Sequence, residues 1–193
     1  MASGACVTRD LHFVLRYSDK LHGQDTIGEH VKVLKKRGYV WLGKFGLGIA
    51  SNIVEKVNKQ VAEGRLAYVY LSSNTKVRYR ATILDVRGGG QYLRLPPPEQ
   101  SATPSYYLKT PCSIWFKLGE IAECSCDELA MLRLYNSPGL APAFTSMRGL
   151  VYVTLCKDTS SPITRSPPPR HRNPQKLDFE DAITLEDVEW LVG

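Results

Sequence analysis

Gly38-Tyr39-Val40-Trp41-Leu42-Gly43-Lys44-Phe45-Gly46 packs three aromatic residues and a lysine between glycines, with segments of helical periodicity on either side. Read as a strand, the stretch alternates faces, so Tyr39, Trp41 and Gly43 share one side while Val40, Leu42 and Lys44 share the other. The first side carries a Tyr-Trp pair that ends at a glycine, where a flat ligand can approach the backbone. Two readings of Trp41 follow: a core residue of a half-buried strand, or one wall of a ligand site.

Outward from this strand the pattern is α+β. Residues 12–17 (His-Phe-Val-Leu-Arg-Tyr) read as a first strand. Thr26 with Glu29 has capping-box spacing, and Ile27, Val31 and Leu34 recur at helical intervals before Gly38, which suits a left-handed cap. On the other side Ser51 is the expected N-cap of a second helix, with Ile53, Val54, Val57 and Val61 on one face and an end at Gly64. A central strand over 66–71 follows. A strand over 77–86 then places Val77, Tyr79, Ala81, Ile83 and Asp85 on one face and Arg78, Arg80, Thr82 and Leu84 on the other. Residues 87–105, rich in Gly and Pro, form an irregular loop of a length that is often functional. Beyond it come a long strand over 112–123, a short helix capped by Ser125 and running through Leu134, and a last strand over 149–155.

The charge is unevenly distributed. The whole chain carries +6, but residues 176–193 hold six acids and one base, which leaves 24 bases and 13 acids, a net of +11, in residues 1–175. A basic body calls for a polyanionic partner, nucleic acid first. Five cysteines, an odd number at scattered positions, fit reduced thiols and a cytoplasmic setting. Cys124-Ser-Cys126 lacks the spacing of a zinc knuckle, and no run of about 18 apolar residues spans a membrane. No metal and no cofactor is expected.

Catalytic signatures are missing as well. Gly43-Lys44-Phe45-Gly46-Leu47-Gly48 has the wrong order for a phosphate loop, and no nucleophile elbow or zinc-hydrolase helix is present. His12, His22 and His30 fall within nineteen residues but share no regular spacing.

Residues 11–156 resemble the PUA-like superfamily, and within it the YTH and EVE domains. The likeness rests on His12-Phe-Val-Leu-Arg-Tyr-Ser-Asp19, on Lys36-Arg-Gly-Tyr-Val-Trp-Leu-Gly43, and on Ser113-Ile-Trp-Phe-Lys-Leu-Gly-Glu-Ile121 followed by Glu128-Leu129. The resemblance implies a mixed, curved β-barrel of about six strands flanked by three helices. It also implies a reader that extrudes a modified base and holds it between aromatic walls. Trp41 matches the first wall, and Trp115 a structural tryptophan of the core. The family's second wall comes from the loop before the later strand, which has no Trp here, so Tyr106 or Tyr107 stands in, with Phe45 in reserve. Ser18 and Asp19, with Tyr39, fall where base-edge hydrogen bonds are made. Lys35, Lys36, Arg37, Lys44, Arg78, Arg80 and Lys109 are the candidate phosphate contacts.

The expected organisation is a nucleic-acid-binding domain over 1–157, a Pro/Ser/Arg-rich linker over 158–176 and an acidic helix, or the start of a following module, over 177–193. A module so arranged resembles the N-terminal region of McrB-type, modification-dependent restriction proteins. The expected function is non-enzymatic: recognition of a modified base in duplex DNA, N6-methyladenine ahead of 5-methylcytosine, with a protein partner or motor engaged through the acidic end. The rivals are an RNA-binding PUA-like module, a metal-dependent nuclease using His12, His22 or Asp19, and an adaptor acting through the tail over 160–193.

Overall fold

A computed structural model describes residues 9–21, 23–73, 76–143 and 149–156. The expected linker and acidic helix, and His22, lie outside the described residues.

Nine strands and three α-helices follow one another along the described chain: β1 (His12–Arg16), β2 (Lys20–Leu21), β3 (Gln24–Asp25), α1 (Thr26–Arg37), β4 (Val40–Lys44), α2 (Ser51–Ala62), β5 (Tyr68–Ser73), β6 (Lys76–Gly88), β7 (Ile114–Glu123), α3 (Cys126–Ala130), β8 (Leu132–Leu134) and β9 (Leu150–Leu155). Seven strands form one sheet in the order β4-β7-β6-β5-β1-β9-β8, and β2 pairs with β3 as a separate short ladder. The β1–β5 pair is parallel and the other pairs are antiparallel, so the sheet is mixed.

This sheet is open, not the closed barrel expected, but it is strongly curled. Three strand spacings separate β1 from β7, about 14 Å if the sheet were flat. The rings of Phe13 on β1 and Phe116 on β7 nevertheless meet edge-to-face with centroids 5.4 Å apart. The concave side is the core, where Phe13, Leu15, Leu42, Val69, Leu71, Ala81, Phe116 and Leu118 are buried with Ile27 of α1 and Val54 and Val57 of α2. Gln60 of α2, buried at this interior, accepts from Leu11 N and donates to the carbonyls of Leu11 and Leu66, which sews the helix to the entry of β1. Asn58 bonds both backbone groups of Val86 on β6.

Several local expectations are corrected. Asp25, not Thr26, caps α1, accepting from Gly28 N, and Thr26 turns its hydroxyl to the carbonyl of Ser18. Ala50 rather than Ser51 precedes α2 and offers no side-chain cap. Gly38 adopts the left-handed conformation at the end of α1, φ 79°, as expected. The β6 alternation fails at register shifts between Thr82 and Asp85, which turn Val86 inward and move Asp85 off the buried face. Ser125 does cap α3, but the helix stops at Ala130 and Leu132–Leu134 pairs with β9 as a strand. The 87–113 segment contains two short 3-10 turns, Gln100–Ala102 and Ser105–Tyr107, and a single bridge between Leu95 and Cys112.

Candidate nucleic-acid interface

The curl brings the C-terminal ends of β1 and β4 together, although four strand spacings separate them in the sheet. The seam between them holds a cavity of about 180 Å³. Leu15, Tyr17 and Ser18 line it from the β1 side and Leu42, Gly43, Lys44 and Phe45 from the β4 side, with Thr26, Tyr107 and Gly149 among the rest of the wall. It is smaller than the roughly 300–1,000 Å³ of ordinary small-molecule sites, so it admits one compact ring system. Through Arg16, Tyr17 and Ser18 it adjoins a wider cleft of about 490 Å³, which Asp19, Lys20 and Ser73 also line.

The inner cavity is aromatic. Phe45 is 39 % exposed and Tyr107 3 %, their ring centroids lie 5.5 Å apart, and the planes are tilted by 31°. Tyr107 is fixed from behind: its hydroxyl donates to the Gly43 carbonyl at 2.9 Å and its ring meets Trp115 edge-to-face at 5.5 Å. Trp115 is fully buried and donates Nε1–H to the Leu95 carbonyl. Phe45 is therefore the solvent-facing ring and Tyr107 the anchored one.

The rim offers acceptors. Ser18 donates its hydroxyl proton to the Lys20 carbonyl at 2.9 Å, so toward a ligand it presents lone pairs. Asp19 is held below the usual carboxylate range by a hydrogen bond from Ser73, by another from Tyr17 and by the nearby Arg78 cation. Burial raises the Tyr17 phenol pKa, with its bond to Asp19 adding to the effect. The phenol thus stays protonated and donates. Lys44 spends two donors on the carbonyls of Phe45 and Leu47, at 3.0 and 2.6 Å, and has a third to offer. Burial, then Arg94, lowers its pKa.

The sequence-predicted residues divide in two. Ser18, Asp19, Lys44, Phe45 and Tyr107 gather at the seam and its cleft, with Arg78 close enough to Asp19 to act on its charge. Trp41 does not join them: it is 2 % exposed, lines neither cavity, and carries the Arg87 guanidinium 5.2 Å from its ring centre. The space expected beside Gly43 is occupied, since a Cβ there would stand 2.9 Å from the Trp115 ring and closer still to Cys112 Sγ. Tyr39 donates to Glu99 at 2.7 Å and lies under Lys117 Nζ, 3.9 Å from the ring centre. Tyr106 packs on Tyr107 and His30 and lines neither cavity. Arg80 binds Glu128 at 3.1 Å and stacks on Tyr68, so it is no free phosphate contact. Lys35, Lys36 and Arg37 are exposed in the last turn of α1, about 13–17 Å along its axis from Thr26 at the cavity. Lys109 is exposed in the loop before β7.

Tyr17, Arg16 and Lys20 were missed, although they adjoin the pair that was named; their strand-end position is the signal that could have found them. His12 and His30 are buried, and burial lowers both pKa values to about 4, so both rings are neutral near pH 7. Among the described residues no group of three His, Cys, Asp or Glu could hold a metal ion. Among them, too, no helix is long and apolar enough to cross a membrane.

A family model described as Pua-like matches residues 13–147, well over half of the chain. No curated protein matches it.

Proposed function

The chain belongs to the PUA-like family, and from that premise we propose that it is a nucleic-acid-binding module that takes one modified base out of its strand into the seam between β1 and β4. The observation that carries this reading is the 180 Å³ cavity itself, with an exposed Phe45 over an anchored Tyr107 and cations at its edge. An extruded base forfeits a few kcal/mol of stacking and pairing. Stacking on an aromatic side chain returns about 1–3 kcal/mol, and bonds to the base edge supply the rest. The acceptors at Ser18 and Asp19 suit a base that presents an N–H donor, which N6-methyladenine keeps after methylation. A methyl group adds about 0.8 kcal/mol of burial, so discrimination depends on how closely Leu15 and Leu42 enclose it. Arg16, Lys20 and Lys44 provide the sequence-blind attraction to phosphate.

Duplex DNA carrying N6-methyladenine is the favoured ligand in this reading, 5-methylcytosine the next, and chemistry on the nucleic acid is left to a partner, as in a modification-dependent restriction system. The test is fluorescence anisotropy on duplexes of one sequence with adenine, N6-methyladenine, cytosine or 5-methylcytosine at a single position, at two salt concentrations, beside matched RNA strands. Tighter binding of the N6-methyladenine duplex at both salts, lost in Phe45→Ala, supports the proposal. Equal affinity for every base sinks it, and tighter binding of the RNA strands transfers the site to RNA.

A further inference from the structure

The seam opens beside a raised apolar knob that the base-binding reading leaves unused. Two loops form it. Residues 45–49 run out of β4, residues 90–93 follow β6, and they are tied by Gly48 N–H to the Gln91 carbonyl at 2.9 Å and Gly90 N–H to the Ile49 carbonyl at 3.0 Å. A Cβ at Gly48 would collide with the Gly90 carbonyl, so the loops approach as closely as backbones can. Lys44 braces the first loop from below through the carbonyls of Phe45 and Leu47. On this braced base stand Leu47, 56 % exposed, Tyr92, 77 %, and Leu93, 42 %, next to Phe45 at the cavity. Four large apolar side chains on two fastened loops are a costly surface to leave in water. Arg94 is exposed on the same segment, whereas Arg87 is engaged by Asp85 at 3.2 Å and by the Trp41 ring.

We propose that Leu47, Tyr92 and Leu93 form a wedge that enters the base stack at the place vacated by the base held in the seam. This rests on the base-binding reading and adds the step by which a paired base is released. Continuity through Phe45 puts the wedge beside the extruded base, and the exposed Arg94 suits a phosphate displaced when a stack is opened. An inserted apolar side chain replaces part of the lost stacking and keeps the gap from closing. Its contribution therefore falls on paired nucleic acid alone: a base already unpaired needs no wedge.

The experiment compares Tyr92→Ser combined with Leu47→Ser against Phe45→Ala and wild type, each with the modified base presented in a duplex, in the same strand unpaired, and in a duplex opposite an abasic position. Circular dichroism melts check that each variant folds; the wedge positions are exposed, so folding is expected to be unaffected. The wedge variant should bind the paired duplex about tenfold or more weakly while keeping single-strand and abasic-partner affinity within about twofold. Phe45→Ala should weaken all three. Equal losses of the wedge variant on all three ligands, or no loss on any, overturn the wedge; in the latter case sedimentation velocity shows whether the knob joins two copies of the chain. If wild type itself fails to prefer the modified base in any ligand, the seam reading fails first.

Discussion

Phe45 and Tyr107 hold their rings 5.5 Å apart, one of them partly open to solvent and the other sealed between Gly43 and Trp115. A sealed ring behind a partly exposed one can accept a planar guest with only one side chain displaced. Phe45→Ala removes that guest's near wall while leaving the core untouched. Affinity for the preferred ligand should fall by about 1–3 kcal/mol, roughly 5- to 150-fold, while Phe45→Tyr stays near wild type. Titration by anisotropy at constant salt reads the difference.

Trp41 should report on stability and not on recognition. Its indole is buried, and among the described residues its Nε1 has no hydrogen-bond partner. Trp41→Ala is expected to cost about 3–5 kcal/mol in urea denaturation. Trp41→Phe removes the unpartnered N–H and retains most of the ring, so it should cost far less and leave the ligand preference intact. Loss of preference in a folded Trp41→Phe protein would return the indole to the site.

The cations at the end of α1 are remote from the cavity and should act without regard to base. Substituting Lys35, Lys36 and Arg37 together by Ala should weaken modified and unmodified ligands alike. The slope of log affinity against log salt should become shallower by about 0.9 for each phosphate that is no longer neutralised. A change in the ratio between ligands, with an unchanged slope, contradicts this division of labour.

Acid should unfold the protein through its buried histidines. Burial lowers the pKa of His12 and His30 from 6.5 to about 4. Below pH 6.5 the unfolded chain binds protons that the folded state refuses, so stability falls as pH drops toward 4 and levels off beneath it. Each ring can contribute up to about 3 kcal/mol across that window. Thermal melts between pH 7 and 4 should show the decline, and His30→Gln should start lower at pH 7 but decline less steeply.

Most of the elements were legible in the sequence because their causes are local. Gly38 ends α1 for a reason contained in one residue, and Ser125 with Glu128 marks the start of α3 within four. The register slip in β6 was not legible, since a bulge arises from pairing with β7 and leaves the alternation of side chains outwardly regular until Val86. Trp41 misled for the same reason. Strand alternation gives it a face, as expected, but what covers that face comes from Arg87 over the indole and from Cys112 and Trp115 against Gly43. The site itself depends on how far the sheet curls, which joins Ser18 to Phe45 and Tyr107 across distances no short window contains.

The seam draws its lining from residue 15 at one extreme and Gly149 at the other, where the Gly149 carbonyl accepts from Arg16 N–H at 2.8 Å. No fragment shorter than residues 15–149 carries the whole lining, so occupancy and integrity of the fold become one equilibrium. A tightly held guest at a hundred times its dissociation constant would add about 2.7 kcal/mol to the unfolding free energy. The rise in melting temperature is then a label-free assay in which any soluble nucleotide or oligomer can be ranked.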